Sequence, residues 1–168
     1  MEITSDIHLK GTAWNKAIDG LSPIFTTRTH YSLYMLCLAI GIMYDKRVAD
    51  PEENGEEIKS VPRNVINNND NGKLDFYFQA AILSTLTETL TEEERLELAF
   101  GEKTDFNKVT FLTSFANFGA EKVLTLVGST ELETMENIKN FMVSTVEGRN
   151  FEIDALPIDD LTDFDDIE

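Results

Sequence analysis

Two histidines, one cysteine and a run of glutamates are the residues of this 168-residue chain that could do chemistry. His30 stands at the start of a long apolar segment and could act as a general base, but a structural or exposed role is expected for both it and His8. Cys37 lies inside that apolar segment, without the cationic neighbours that lower a thiol pKa, and reads as a small core side chain. As the lone cysteine it also excludes an intramolecular disulfide and a thiolate metal site. Glu92, Glu93, Glu94 and Glu97 form the densest carboxylate cluster outside the C-terminal tail. A carboxylate-held metal would need such groups converging from separate helices, and no Glu-x-x-His pair occurs. Acids at a helix start, favourable to the macrodipole, explain the cluster better. Glycine-rich phosphate loops of either common pattern are missing as well. The expectation is therefore a non-enzymatic protein with no catalytic residues, no metal and no cofactor.

Charge narrows the choice of partner. Lysine and arginine number 14 against 31 aspartates and glutamates, for a formal net charge of −17. Binding to phosphate backbones is driven by cations that displace counterions, so direct, unaided nucleic-acid binding is not expected. Arg28, Lys46, Arg47, Lys59 and Arg63 come closest to a basic region. They read as a solvated helix rim, or as ion pairs with the acidic run at 52–57.

Positioning elements follow from the apolar pattern. The longest nearly unbroken apolar run, Leu33 to Tyr44, has twelve residues, whereas a membrane span takes roughly 20. It predicts a central buried helix, apolar on nearly every face, with Thr29 as N-cap and Asp45-Lys46-Arg47 at its exit. The first residues lack the basic stretch and apolar block of a secretory signal, so a cytoplasmic location without membrane contact is expected. Before the central helix, Leu9, Trp14, Ala17, Ile18 and Leu21 suggest one short amphipathic helix. After it, 49–73 reads as one long connection, ending in an Asn/Asp/Gly run that tolerates left-handed backbone angles. Phe76 to Leu90 predicts a second strongly buried segment.

Thr91-Glu92-Glu93-Glu94 has the form of a capping box and opens a helix with Leu96, Ala99 and Phe100 inward and Gly101 as its stop. Asp105 is placed to cap the next helix, which carries Val109, Leu112, Phe115, Ala116 and Ala120. Gly128-Ser129-Thr130 breaks that helix, and Thr130 with Glu133 repeats the box. Leu132, Met135, Ile138, Phe141, Met142 and Val146 then form one stripe at helical spacing. With no convincing alternating strands, an all-α fold is expected: a compact orthogonal bundle of about five to seven helices over residues 1–150.

Residues 151–168 form an acidic tail. From Glu152 onward there are eight acidic residues and no basic one. Phe151, Leu156, Ile158, Leu161, Phe164 and Ile167 are spaced along the tail and are the expected partner-binding residues. Three readings fit: docking on a partner while carboxylates steer the encounter, folding back on the chain's own domain, or keeping the chain in solution.

Two stretches resemble the DNA phosphorothioation-associated protein 4 family. Pro23-Ile24-Phe25-Thr26-Thr27 runs into the apolar helix with its Ala39-Ile40-Gly41 step and then Lys46-Arg47. Phe115-Ala116-Asn117-Phe118-Gly119-Ala120-Glu121-Lys122-Val123-Leu124 is similar to that family's aromatic-Ala-Asn-x-Gly segment. The likeness covers roughly residues 20–146. It implies a small accessory protein of bacterial loci that modify DNA with sulfur or restrict DNA lacking that mark, and it brings no catalytic residues. Asn117 and Gly119 are the positions it carries over; physically they read as a buried amide holding a helix bend and a site of close helix approach. Together these readings predict an accessory or scaffolding subunit of a DNA-modification or anti-phage defence system, docked on a larger protein subunit with a basic or apolar surface. The alternative is an acidic DNA mimic that inhibits a nuclease or another DNA-binding protein. A mimic needs carboxylates in rows at phosphate-like spacing, whereas a scaffold needs an exposed apolar patch.

Overall fold

A computed structural model describes residues 3–24, 30–86, 89–101 and 106–153, the last with side chains to residue 144. Among these residues the elements run β1 (Ile7–Leu9), α1 (Thr12–Leu21), α2 (His30–Met43), β2 (Lys59–Val61), α3 (Arg63–Asn69), α4 (Lys73–Ser84), α5 (Glu92–Phe100), α6 (Lys108–Leu124) and α7 (Glu131–Ile153). The chain divides into two compact units, Met1–Val127 and Gly128–Glu168. The all-α expectation holds, with one small addition: β1 and β2 pair antiparallel, Ile7 opposite Val61 and Leu9 opposite Lys59.

The first unit is built around α2 and α6. Tyr34, Cys37 and Leu38 of α2 and Phe115, Ala116 and Ala120 of α6 are fully buried. Neither helix has a strongly one-sided pattern because both lie inside the unit. Two glycines set their spacing. A Cβ added at Gly119 would overlap the carbonyl of Cys37, and one added at Gly41 would overlap the carbonyl of Phe115. The two backbones therefore cross in direct contact, each glycine seated on the other helix. Close approach at Gly119 is what the sequence led us to expect.

Other elements attach to this crossing. α1 packs Trp14, Ala17 and Leu21 inward, and the Trp14 ring stacks on Tyr34 at 6.3 Å. Leu9, expected in that helix, belongs instead to β1, where Ile7 and Leu9 are buried and His8 points outward. Around α6, Phe78, Phe106, Phe111 and Phe115 form a chain of tilted and edge-on rings at 5.2–5.9 Å, geometry that aromatic quadrupoles favour.

The connection at 49–73 is more ordered than its composition suggests. The Thr12 amide donates to the Glu52 carbonyl at 3.0 Å. β2 fastens the middle of the segment to β1, and α3 follows at once, with Pro62 at its N-cap. Proline has no side-chain acceptor, so the carboxylate of Asp6, arriving from the N-terminal segment, accepts from the Arg63 amide at 2.8 Å. The turn into α4 matches its residues: Asn71 and Gly72 are both left-handed (φ +47° and +81°), and Asp70 accepts from the Gly72 and Leu74 amides.

α4 is shorter than expected. It ends at Ser84, and Leu86 turns the chain with φ +43°. α5 opens with the predicted capping box, the Glu94 amide donating to Thr91 Oγ1 and the Thr91 amide to Glu94 Oε2 at 2.8 Å. Arg95 joins α5 to α4 by donating to the Leu83 carbonyl at 2.7 Å, next to the negative end of that helix. α6 is capped by Asn107, whose side chain accepts from the Thr110 amide. The proposed caps Thr29 and Asp105 lie outside the described residues.

In the second unit, half of the second capping box is present. The Glu133 amide donates to Thr130 Oγ1, but the Glu133 carboxylate turns to the amide and hydroxyl of Ser129, both at 2.7 Å. The hydrogen bonds from Ser129 hold the Glu133 carboxyl below the usual range.

If the glycine crossing organises the first unit, Gly41→Ala and Gly119→Ala should each lower the unfolding free energy by about 3 kcal/mol, the upper end of overpacking costs. Urea unfolding followed by emission of Trp14, the sole tryptophan, measures this, and a change within ~0.5 kcal/mol, the scatter of ordinary surface substitutions, contradicts it.

Candidate functional site

Of the residues first considered for catalysis, His30 and Cys37 are held by the fold, whereas His8 lines the larger cleft described below. His30 Nδ1 lies 3.1 Å from the Ser60 carbonyl, tying the start of α2 to β2. His8 is on the outward side of β1, away from the buried Ile7 and Leu9. Cys37 is fully buried, and desolvation drives its thiol far above the ordinary value, away from the reactive thiolate. Among the described residues, no three of His, Cys, Asp and Glu stand where they could hold a metal ion.

The expected basic region is spread out and occupied. The Arg47 guanidinium lies over the Phe111 and Phe115 rings at 5.4 and 5.6 Å. Lys46 sits over Phe118 at 5.8 Å, and Lys59 pairs with Glu57 at 2.6 Å. The Arg63 guanidinium donates to the Thr4 carbonyl. Arg28 lies outside the described residues. Among the described residues, Lys46 and Arg47 thus face aromatic rings, Lys59 a carboxylate and Arg63 a carbonyl of their own chain.

Asn117 is a buried amide with both ends used. Its Oδ1 accepts from Trp14 Nε1 at 2.8 Å, and its Nδ2 donates to the Val48 carbonyl at 2.9 Å. The Val48 amide in turn donates to the Ser114 carbonyl at 2.8 Å. Asn117 is therefore the buried amide expected, and it joins α1, α6 and the segment after α2.

Two clefts remain. The larger, about 710 Å³, lies between the N-terminal segment and the start of α6. Its wall mixes charges of both signs (Asp6, Lys10, Lys108) with hydroxyls. Several of these groups are engaged: Asp6 on α3, the Thr113 hydroxyl 3.2 Å from that of Tyr34, and Lys108 over the Phe78 ring at 4.6 Å.

The second cleft, about 550 Å³, runs along α5 and is lined by Glu92, Glu93, Leu96, Glu97, Phe100 and Gly101. At 100° per residue, positions 92, 93, 96, 97 and 100 fall within an arc of about 140° on one side of the helix. Leu96 and Phe100 were expected to face inward; instead they are 45% and 59% exposed. Their spacing is that of a buried stripe, but Ala99, just past the Glu92 edge of that arc, and Arg95 beyond it make the contact with the rest of the unit. The i, i+4 apolar pair interleaved with glutamates was visible in the sequence and was read as core because an apolar residue on a helix usually is. In the second unit, Leu132, Met135 and Met142 of the predicted stripe are likewise exposed. Of the expected tail residues, Phe151 falls in α7 with its side chain outside the described residues, and Leu156, Ile158, Leu161, Phe164 and Ile167 lie beyond them.

No family model, curated protein or solved structure matches the chain. No helix among the described residues is long and apolar enough to cross a membrane.

The buried hydroxyls and thiol make stability pH-dependent. Burial raises Tyr31 and Tyr34 well above the ordinary tyrosine range, and for Tyr31 the hydrogen bond donated to Asp70 at 2.9 Å adds to the shift. Raised folded values mean that the fold keeps protons the unfolded chain releases. Their contribution is complete below the unfolded pKa and is lost as pH rises. Unfolding free energy should therefore decline above pH ~8.5, where an unfolded Cys37 ionises, and more steeply above ~10, where the tyrosines follow. Urea titrations across this range measure it. A flat profile through pH ~11, beyond the unfolded values of all three groups, contradicts it.

Proposed function

We propose that the chain is a non-enzymatic accessory subunit that works by protein–protein contact, with the exposed face of α5 as its docking surface. The observation that carries this reading is the apolar pair Leu96 and Phe100, open to solvent between Glu92, Glu93 and Glu97. An apolar pair left in water gains stability when a partner covers it, at about 25 cal/mol per Å². The setting, a bacterial DNA-modification or anti-phage defence complex, rests on the resemblance of 23–47 and 115–124. Asn117 and Gly119 then serve that surface indirectly, by keeping α6 and its neighbours in place.

The DNA-mimic alternative draws on the same acidity. Its weakness lies on α5, where the glutamates alternate with a leucine and a phenylalanine. Apolar side chains beside a mimic's carboxylates would meet only the hydrophilic cationic groove meant for phosphates.

Affinity capture of the full chain from cells carrying a DNA-modification locus is the test, run beside Phe100→Asp and a truncation to residues 1–150. The full chain should retain a stoichiometric protein partner that Phe100→Asp loses. Recovery of no partner by any version, together with inhibition of a nuclease in competition with DNA, would overturn the accessory reading in favour of the mimic.

A further inference from the structure

We infer that the α5 face receives a cationic amphipathic helix: a segment with apolar residues one turn apart, flanked by lysine or arginine. The inference rests on the reading of that face as a docking surface and adds the chemistry of what docks there. Among the described residues, every charged one lining the cleft is a glutamate. The nearby Arg95 does not neutralise them, because its guanidinium is turned to the Leu83 carbonyl. Glu94 is folded into the capping box and is not a lining residue.

Four other occupants each meet a physical objection. A second copy of this chain, using the same face about a two-fold axis, would set three glutamates against three more in a chain already at −17. A nucleic acid would bring phosphates to the same carboxylates. A purely apolar segment would cover Leu96 and Phe100 but strip water from the glutamates around them and leave their charge unpaired. An extended peptide adding to a sheet edge is also excluded here, since α5 is helical and its backbone groups bond within the helix. A helix that lays apolar residues over Leu96 and Phe100 and directs cations to Glu92, Glu93 and Glu97 satisfies both components. α5 itself spans nine residues, so about two to three turns of the partner are enough to cover it.

The probes are three synthetic peptides of about 14 residues, roughly 20 Å when helical: one of leucine and lysine in amphipathic order, one with glutamate for every lysine, and one with serine for every leucine. Each is titrated into the isotope-labelled full chain while backbone amide signals are followed. The leucine–lysine peptide should bind, with shift changes concentrated at residues 92–101. Phe100→Asp and Leu96→Ser should each weaken it by about tenfold or more, the loss expected when an anchor is removed. Both side chains are exposed, so the variants should keep the wild-type melting temperature, which is checked alongside. Glu93→Gln with Glu97→Gln should weaken binding and flatten its dependence on salt.

Equal binding by the leucine–glutamate or serine–lysine peptide, or shift changes centred away from α5, would overturn the inference. The docking face has its own readout in the capture experiment. Loss of the cellular partner by Phe100→Asp, with no selectivity among the peptides, removes the cationic helix and leaves the docking face standing. Retention of the partner by Phe100→Asp removes both.

Discussion

Direct backbone contact between α2 and α6 is the constraint on which the first unit depends. Side chains normally hold helix axes 8–10 Å apart. Where Gly41 and Gly119 each rest on the other helix's backbone, no side chain intervenes, and every residue packed around the crossing is placed by it. Trp14 reaches both helices, stacking on Tyr34 of α2 and donating to Asn117 of α6. The segment leaving α2 runs back along α6 with both backbone groups of Val48 bonded there. Such a junction leaves few polar groups unpaired in a dry interior, which keeps the cost of burying them low.

The packed interior holds several of the chain's chemically suggestive residues in structural positions. His30, Cys37 and Asn117 are each consumed by packing or by a backbone partner, and the cations near α2 and α6 rest on aromatic faces. Open to solvent on α5 is a carboxylate-bearing surface interrupted by apolar side chains, and in the second unit α7 exposes apolar side chains as well. A surface of that composition is suited to being covered by another protein.

The sequence was legible where local rules act alone. Thr91 and Glu94 announced their capping box because both partners lie within one turn, and the Asn-Asp-Asn-Gly run announced a left-handed turn because those residues tolerate it. The central helix was evident from the run at 33–44, the longest nearly unbroken apolar stretch of the sequence. Gly119 was read correctly as a point of close approach. The strands were missed because three residues, Ile7–Leu9 against Lys59–Val61, are too few for an alternating pattern to stand out, and their pairing is set by the tertiary structure. α3 was missed because its N-terminal acceptor, Asp6, lies 57 residues away. The orientation of Leu96 and Phe100 was misread for the opposite reason: their spacing fits a core stripe, and only the contacts of Ala99 and Arg95 reveal that the helix is turned the other way.

Amide hydrogen exchange, compared between the free chain and the complex recovered from cells, tests most directly whether a fixed helical interior presents α5 to a partner. Amides of α2 and α6 should exchange slowest in both states, and those of α5 should slow only in the complex. Unchanged exchange in α5, with new protection appearing instead around β1 and the start of α6, would contradict this and move the working surface to the larger cleft.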